Sequence, residues 1–241
     1  MGRHGTIAGR KAAQNNKRAA VFTKYARAIM VAAKAGGDPA YNASLKNAID
    51  KAKGINMPKD KIEQAIKKGT GELAGDTLTE ARFEGYGTSG VAVIVDVLTD
   101  NMNRTTSAVK HIFDRHGGHM GTPGSVSYMF ERKGVILIEK DAADEDSIME
   151  AGLDAGLEDV LDADEYWEIR TSTEELHEVA DALREAGFEL VQAEIDLIPN
   201  TCSEPKDEHA LKSLSRMLDA FDDDDDVQKV YTNSSAPLEF E

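Results

Sequence analysis

The chain has 241 residues, 41% hydrophobic and 30% charged, so it can bury cores and is expected to be neither disordered nor fibrous. A single cysteine, Cys202, excludes an intramolecular disulfide and a paired-cysteine metal site and fits a reducing cytoplasm. The net charge of -16 argues against a polyanionic partner until it is divided: residues 1–78 hold 15 Lys and Arg against 6 Asp and Glu, and residues 79–241 hold 13 against 38, giving +9 and -25.

The basic start, Met1-Gly-Arg-His-Gly5, has no apolar run behind it, so no secretory signal is expected. The strand-like stretch Val91–Val97 is far shorter than the roughly 18 apolar residues of a membrane helix. Residues 1–16 read as a basic arm. From Ala19 to about Ala35 the pattern is helical, with Phe22, Ala26, Ile29 and Ala33 on one face and Lys17, Lys24, Arg27 and Lys34 roughly opposite. Gly36-Gly37 stops this helix. A second runs from about Ser44 to Lys53, and a third starts near Pro58 and stops at Gly69. The Gly/Thr-rich stretch Gly69–Thr77 reads as a linker.

Beyond Thr79, strands and helices alternate. Gly90–Leu98 reads as a strand, Asn103–His116 as a helix closed by Gly117-Gly118, and Ser125–Phe130 as a strand. Gly134–Glu139, a helix around Asp144–Ala155, a strand around Glu165–Thr171, a helix from Ser172 (capping-box spacing with Glu175) to about Ala186, and a strand Glu189–Ile198 form a β-α-β-α-β set. After Pro199–Pro205 come an amphipathic helix carrying Leu211, Leu214, Met217, Leu218 and Phe221, and a last strand, Val227–Thr232. The expected fold class is α+β: a three-helix bundle over 1–78 followed by two small ferredoxin-like α/β domains, the middle one discontinuous (79–132 plus 206–241) and the other inserted in it over 133–205.

Several letter patterns carry no chemistry. Gly85-Tyr-Gly-Thr-Ser-Gly90 matches a dinucleotide fingerprint, but it runs into a strand rather than opening a helix, and so reads as a loop. His111, His116 and His119 lack the spacing of ligands on one helical face. Asp222–Asp226 lacks the alternation and glycine of a calcium loop and reads as a solvated acidic turn. No nucleophile has a recognisable base, so no catalytic residue, metal or cofactor is expected.

Two features stand out. The first 37 residues hold eight Lys and Arg and no acid. Arg3, His4, Arg10, Lys11, Lys17, Arg18, Lys24 and Arg27 are the candidate nucleic-acid contacts, supplying affinity through phosphate neutralisation. A solvated face and docking onto an acidic protein, or onto the chain's own acidic body, are the competing readings. The second is Asp100-Asn-Met-Asn-Arg-Thr-Thr106 at a strand-to-helix junction. Here Asn103 is the expected N-cap, and Asn101, Asn103 and Arg104 are candidate anion contacts, with capping alone as the other reading.

Arg10-Lys-Ala-Ala-Gln14, Phe22-Thr-Lys24, Asn56-Met-Pro-Lys-Asp60, Ala65-Ile-Lys-Lys-Gly-Thr-Gly71, Glu84-Gly-Tyr-Gly87, Leu98-Thr-Asp-Asn101 with Asn103-Arg-Thr105, and Gly124-Ser-Val-Ser-Tyr128 resemble the YebC/PmpR family, which includes mitochondrial translational activators of cytochrome oxidase subunit one. The resemblance implies three domains with the second discontinuous, and a cytoplasmic, non-enzymatic protein of gene expression. Its implied partner is nucleic acid, either promoter DNA or ribosomal or transfer RNA, with the ribosome among the possible assemblies and no membrane. Many members begin Gly-His-Ser-Lys-Trp-Ala where this chain has Gly2-Arg-His-Gly-Thr-Ile7, so a tryptophan available for stacking is absent here. The rival is a protein-interaction module that docks its basic helix on an acidic partner. Nothing in the pattern fixes the oligomeric state.

Overall fold

The computed structural model describes residues 21–75, 77–163 and 165–235. The chain forms two compact units, one running to Ser127 and resuming at Ser203, the other spanning Tyr128–Cys202.

The first unit opens with three helices: α1, described over 21–33, α2 (Ala43–Gly54) and α3 (Lys59–Gly69). Their apolar faces meet in a core of Ile29, Ala33, Leu45, Ile49, Ala52, Met57, Ile62 and Ala65, with Phe22 and Ala26 packed on its side. Asn42 organises the first turn from both ends of its amide. Its Oδ1 accepts from the Leu45 N–H at 3.0 Å as the N-cap of α2, and its Nδ2 donates to the Ala32 and Gly36 carbonyls at 2.8 Å each. Pro58 sits at the N-cap of α3, where its missing N–H costs nothing.

The same unit then builds a sheet from β1 (Thr79–Tyr86), β2 (Ala92–Thr99), β3 (His119–Met120) and β8 (Val227–Thr232). Its order is β3-β1-β2-β8, with all pairs antiparallel. Helices α4 (Met102–Arg115) and α7 (Glu208–Asp222) cover one face. Every second residue of β2 points into that layer: Val93, Val95 and Val97, preceded by Val91, pack with Val109, Phe113, Leu214, Met217, Leu218 and Phe221. The Phe113 and Phe221 rings meet edge to face, centroids 5.1 Å apart. Gly117 ends α4 at φ +75°, which allows the Gly118 N–H to reach back to the Phe113 carbonyl at 2.9 Å.

The structure revises two expectations here. β1 carries a clean alternation (Ala81, Phe83 and Gly85 toward the helices, Arg82 and Glu84 away), although no strand was expected before Gly90. The residues expected as a strand at Ser125–Phe130 instead form a loop and a short 3-10 turn, Ser127–Met129. Phe130 opens a strand of the other unit. Gly85–Gly90 closes the β1–β2 hairpin, with Gly87 N donating to Val91 O at 2.7 Å.

The second unit runs β4 (Phe130–Glu139), α5 (Glu145–Gly152), β5 (Leu157–Ala163), β6 (Tyr166–Thr171), α6 (Leu176–Glu185) and β7 (Gln192–Pro199). Its antiparallel order β5-β6-β4-β7 is the ferredoxin-like arrangement. Ile136, Ile138 and Ile169 bury against Ile148, Val179 and Leu183 of the helices. The additional strand β5 is acidic (Leu-Glu-Asp-Val-Leu-Asp-Ala) and lies at a sheet edge, where charge discourages pairing with other chains. Ser172 Oγ accepts from the Glu175 N–H at 3.2 Å and donates to its carboxylate at 2.9 Å, but the helix itself begins only at Leu176.

Candidate functional site

The junction between β2, α4 and β8 is built around one acid. Asp226 is 5% exposed, and its carboxylate accepts from Arg27 Nη1 at 2.6 Å, from Arg104 Nη2 at 2.8 and 3.1 Å, and from the Thr105 hydroxyl at 2.6 Å. Thr99 Oγ1 lies 3.3 Å away, and the Asp226 carbonyl accepts from the Leu98 N–H at 2.8 Å. Four segments distant in sequence (α1, the end of β2, the first turn of α4 and the start of β8) thus converge on two oxygens. Burial by itself would raise the Asp226 carboxyl, but hydrogen bonds from Arg104, Thr105 and Arg27 outweigh it and hold the group below the usual carboxylate range. Arg104 also pairs with Asp100 at 2.7 Å, and its guanidinium is held above its ordinary value, first by Asp226 and then by Asp100.

The helix cap here differs from the expected one. Asn101 caps α4, its Oδ1 accepting from the Arg104 N–H at 3.1 Å, while Asn103 is the second residue of the helix, with an exposed side chain. Of the two asparagines, Asn101 holds the extended φ/ψ that a cap requires. The run Asp222–Asp226, expected as a solvated turn, is only partly so. Asp226 is buried, and Asp222, although exposed, pairs with Lys24 at 2.9 Å.

The candidate basic residues therefore divide. Arg3, His4, Arg10, Lys11, Lys17 and Arg18 lie outside the described residues. Lys24 and Arg27 hold the side chains of Asp222 and Asp226 and also donate to the Asp222 and Asp225 carbonyls. Lys34 donates to the Leu78 carbonyl at 3.0 Å. The basic side of α1 thus turns toward the middle sheet, because an amphipathic pattern locates the apolar stripe but leaves the environment of the other face undetermined. Other exposed cations of the head include Lys46 on α2 and Lys67 and Lys68 at the end of α3.

A second buried carboxylate organises the other end of the sheet. Glu84, 6% exposed, accepts from the backbone N–H groups of Gly124 and Val126 at 2.8 Å each and of Ser127 at 2.9 Å. Burial favours its neutral form, yet the three amides prevail and keep the carboxyl below its ordinary range. Tyr86 adds its hydroxyl to the Ser125 carbonyl at 2.9 Å, and its ring stacks on His119. Two motifs forty residues apart, Glu84-Gly-Tyr-Gly87 and Gly124-Ser-Val-Ser-Tyr128, are in this way one structural feature. The polar alternation of β1 was the available sign of it. A cleft of about 1090 Å³ separates α1 and α2 from the open sheet face. Tyr25, Ala28 and Ala32 form one wall, and the bidentate Arg82–Asp96 pair (2.6 and 2.7 Å) lies on the other.

Among the described residues, no group of three or more His, Cys, Asp or Glu is placed to hold a metal ion, and no helix is long and apolar enough to cross a membrane.

Comparison with known proteins places these features in a family. Residues 3–72 match the model described as TACO1/YebC protein N-terminal domain, and residues 78–234 match TACO1/YebC second and third domain. A "Probable transcriptional regulatory protein" of Persephonella marina is 51% identical, the match covering 94% of this chain and 92% of the relative. A protein of Clostridioides difficile with the same description is 48% identical over 97% of this chain and 98% of its own. The crystal structure of a conserved hypothetical protein from Aquifex aeolicus superposes with a TM-score of 0.83 at 42% identity, covering 92% of both chains.

Proposed function

The chain belongs to the TACO1/YebC family, and from that premise we propose that it is a non-enzymatic regulator of gene expression that binds nucleic acid through its basic head. The observation that carries this reading is the segregation of charge, +9 over residues 1–78 against -25 over the rest, with no acid in the first 37 residues. Relatives described as transcriptional regulatory proteins support the regulatory part.

The contacts are Arg3, His4, Arg10, Lys11, Lys17 and Arg18, extended by the exposed Lys67 and Lys68 of α3. Lys24, Arg27 and Arg104 are engaged with carboxylates, and Asn101 with its helix, so in the free protein these four contribute less. An extended duplex lying along the acidic body would be repelled. The contact is therefore local and one-ended, whether the polyanion is promoter DNA or ribosomal or transfer RNA.

Replacing Arg10, Lys11, Lys17 and Arg18 together by alanine removes four phosphate contacts. It should lower affinity by roughly three powers of ten near physiological salt and flatten the salt dependence by about three units of slope. Unchanged affinity would refute the assignment. Ultraviolet crosslinking in cells with RNase and DNase arms identifies the polymer: RNA at one discrete site means action in translation, and promoter DNA surviving RNase means direct action in transcription. Recovery of neither would transfer the head to an acidic protein partner.

A further inference from the structure

Lys24 and Arg27 carry the charge expected of a phosphate-binding helix, yet each holds an acid from the turn that begins at the last residue of α7. That turn has five consecutive aspartates, Asp222–Asp226, and in this chain it is the nearest chemical likeness to a stretch of phosphates. The two contacts differ in kind. Asp226 is buried and shared with Arg104, Thr105 and Thr99, so it is part of the fold. The Asp222 side chain is 85% exposed and reaches Lys24 from solvent, while Lys24 itself is 13% exposed. An ion pair with one fully hydrated partner is weakly held, and a phosphate can displace it.

We propose that Asp222 is an internal competitor for the head: it occupies Lys24 in the free protein, and nucleic acid must displace it to gain that cation. The proposal rests on the reading that the head binds nucleic acid. It assigns the acidic turn a regulatory role, that of setting affinity and salt sensitivity rather than only keeping the protein soluble. A basic protein or a change of charge at this turn would release Lys24 and tighten binding.

The test is fluorescence anisotropy of the full chain with a short labelled single-stranded RNA and, in parallel, a DNA duplex of the same length, across a salt series. Asp222→Asn keeps the shape of the turn and removes the carboxylate charge that holds Lys24, leaving that cation only the Asp222 main-chain carbonyl and a neutral amide. One additional phosphate contact should raise affinity roughly fivefold near physiological salt and steepen the salt slope by about 0.7 to 0.9. Asp223→Asn removes the same net charge from an exposed neighbour, and Lys24→Ala is then added to Asp222→Asn. A gain specific to Asp222→Asn that Lys24→Ala cancels supports the competitor. Because Asp222 is exposed, its variant should melt as the wild type does, which separates affinity from folding.

If wild type binds a probe and Asp222→Asn gains nothing, or gains no more than Asp223→Asn, the competitor is overturned and the nucleic-acid reading stands. If neither wild type nor any variant binds either probe, the nucleic-acid reading falls and the competitor falls with it.

Discussion

Glu84→Gln tests the logic of the sheet most directly, because it changes one oxygen to an amide nitrogen without changing shape. In the wild type, Oε1 accepts from Gly124 and Oε2 from both Val126 and Ser127, all at 2.8–2.9 Å, in a site 6% exposed. Glutamine does best by turning its oxygen to Val126 and Ser127, which leaves its NH₂ facing the Gly124 N–H. One charge-assisted bond is lost, at about 1.5–3 kcal/mol, and the other two become neutral and weaker, so the total cost is about 3 kcal/mol. That is a large part of the roughly 5–15 kcal/mol that holds a domain together. The expected outcome is a lower urea midpoint with an unchanged slope, and amide exchange at Gly124, Val126 and Ser127 faster by about a hundredfold. Acidity gives an independent check. The folded carboxyl titrates below its ordinary range, so its stabilisation is complete above the unfolded value and is lost as the pH falls through the lower, folded one. The stability gap between wild type and Glu84→Gln should therefore close on acidification. A midpoint that does not move, with the three amides exchanging at wild-type rates, would refute the claim that this carboxylate holds the loop.

Two further substitutions probe other parts of the first unit. Asn101→Ala should cost about 0.5–2 kcal/mol in thermal or urea unfolding, whereas Asn103→Ala should cost almost nothing; equal effects would mean that the cap is misassigned. Gly69→Ala would place a Cβ 2.4 Å from the Met30 carbonyl oxygen and 2.7 Å from the Ala33 Cβ, so α3 must move off α1. Despite the better helix propensity of alanine, unfolding measurements should show a loss of about 1–3 kcal/mol, and a stabilised variant would contradict the close helix crossing.

Much of this architecture is local in origin and was legible as such. Gly36, Gly54, Gly69 and the Gly117-Gly118 pair mark helix ends close to where the chain turns, because glycine relieves a backbone restriction that acts within a few residues. The stripe on α7 that buries Leu214, Met217, Leu218 and Phe221 follows from 3.6-residue periodicity alone. The expected layout missed β5 because its composition is that of a loop, and β-structure is decided by the neighbouring strand more than by the residue. It also read Ser125–Phe130 as a strand from its short apolar content, whereas Glu84 binds three of those residues' and their neighbours' amides and so removes them from pairing.

The division of charge between a basic head and an acidic body is fixed by the sequence, since counting requires no coordinates. Which charges meet is fixed only by tertiary structure. Arg27 and Asp226 stand 199 positions apart, and no local pattern distinguishes that aspartate from the four before it, or marks Lys24 as a cation already engaged. Periodicity reports which face of a helix avoids water. Whether the opposite face meets water, phosphate or a carboxylate depends on what the rest of the chain brings to it, and in α1 the answer is Asp222 and Asp226.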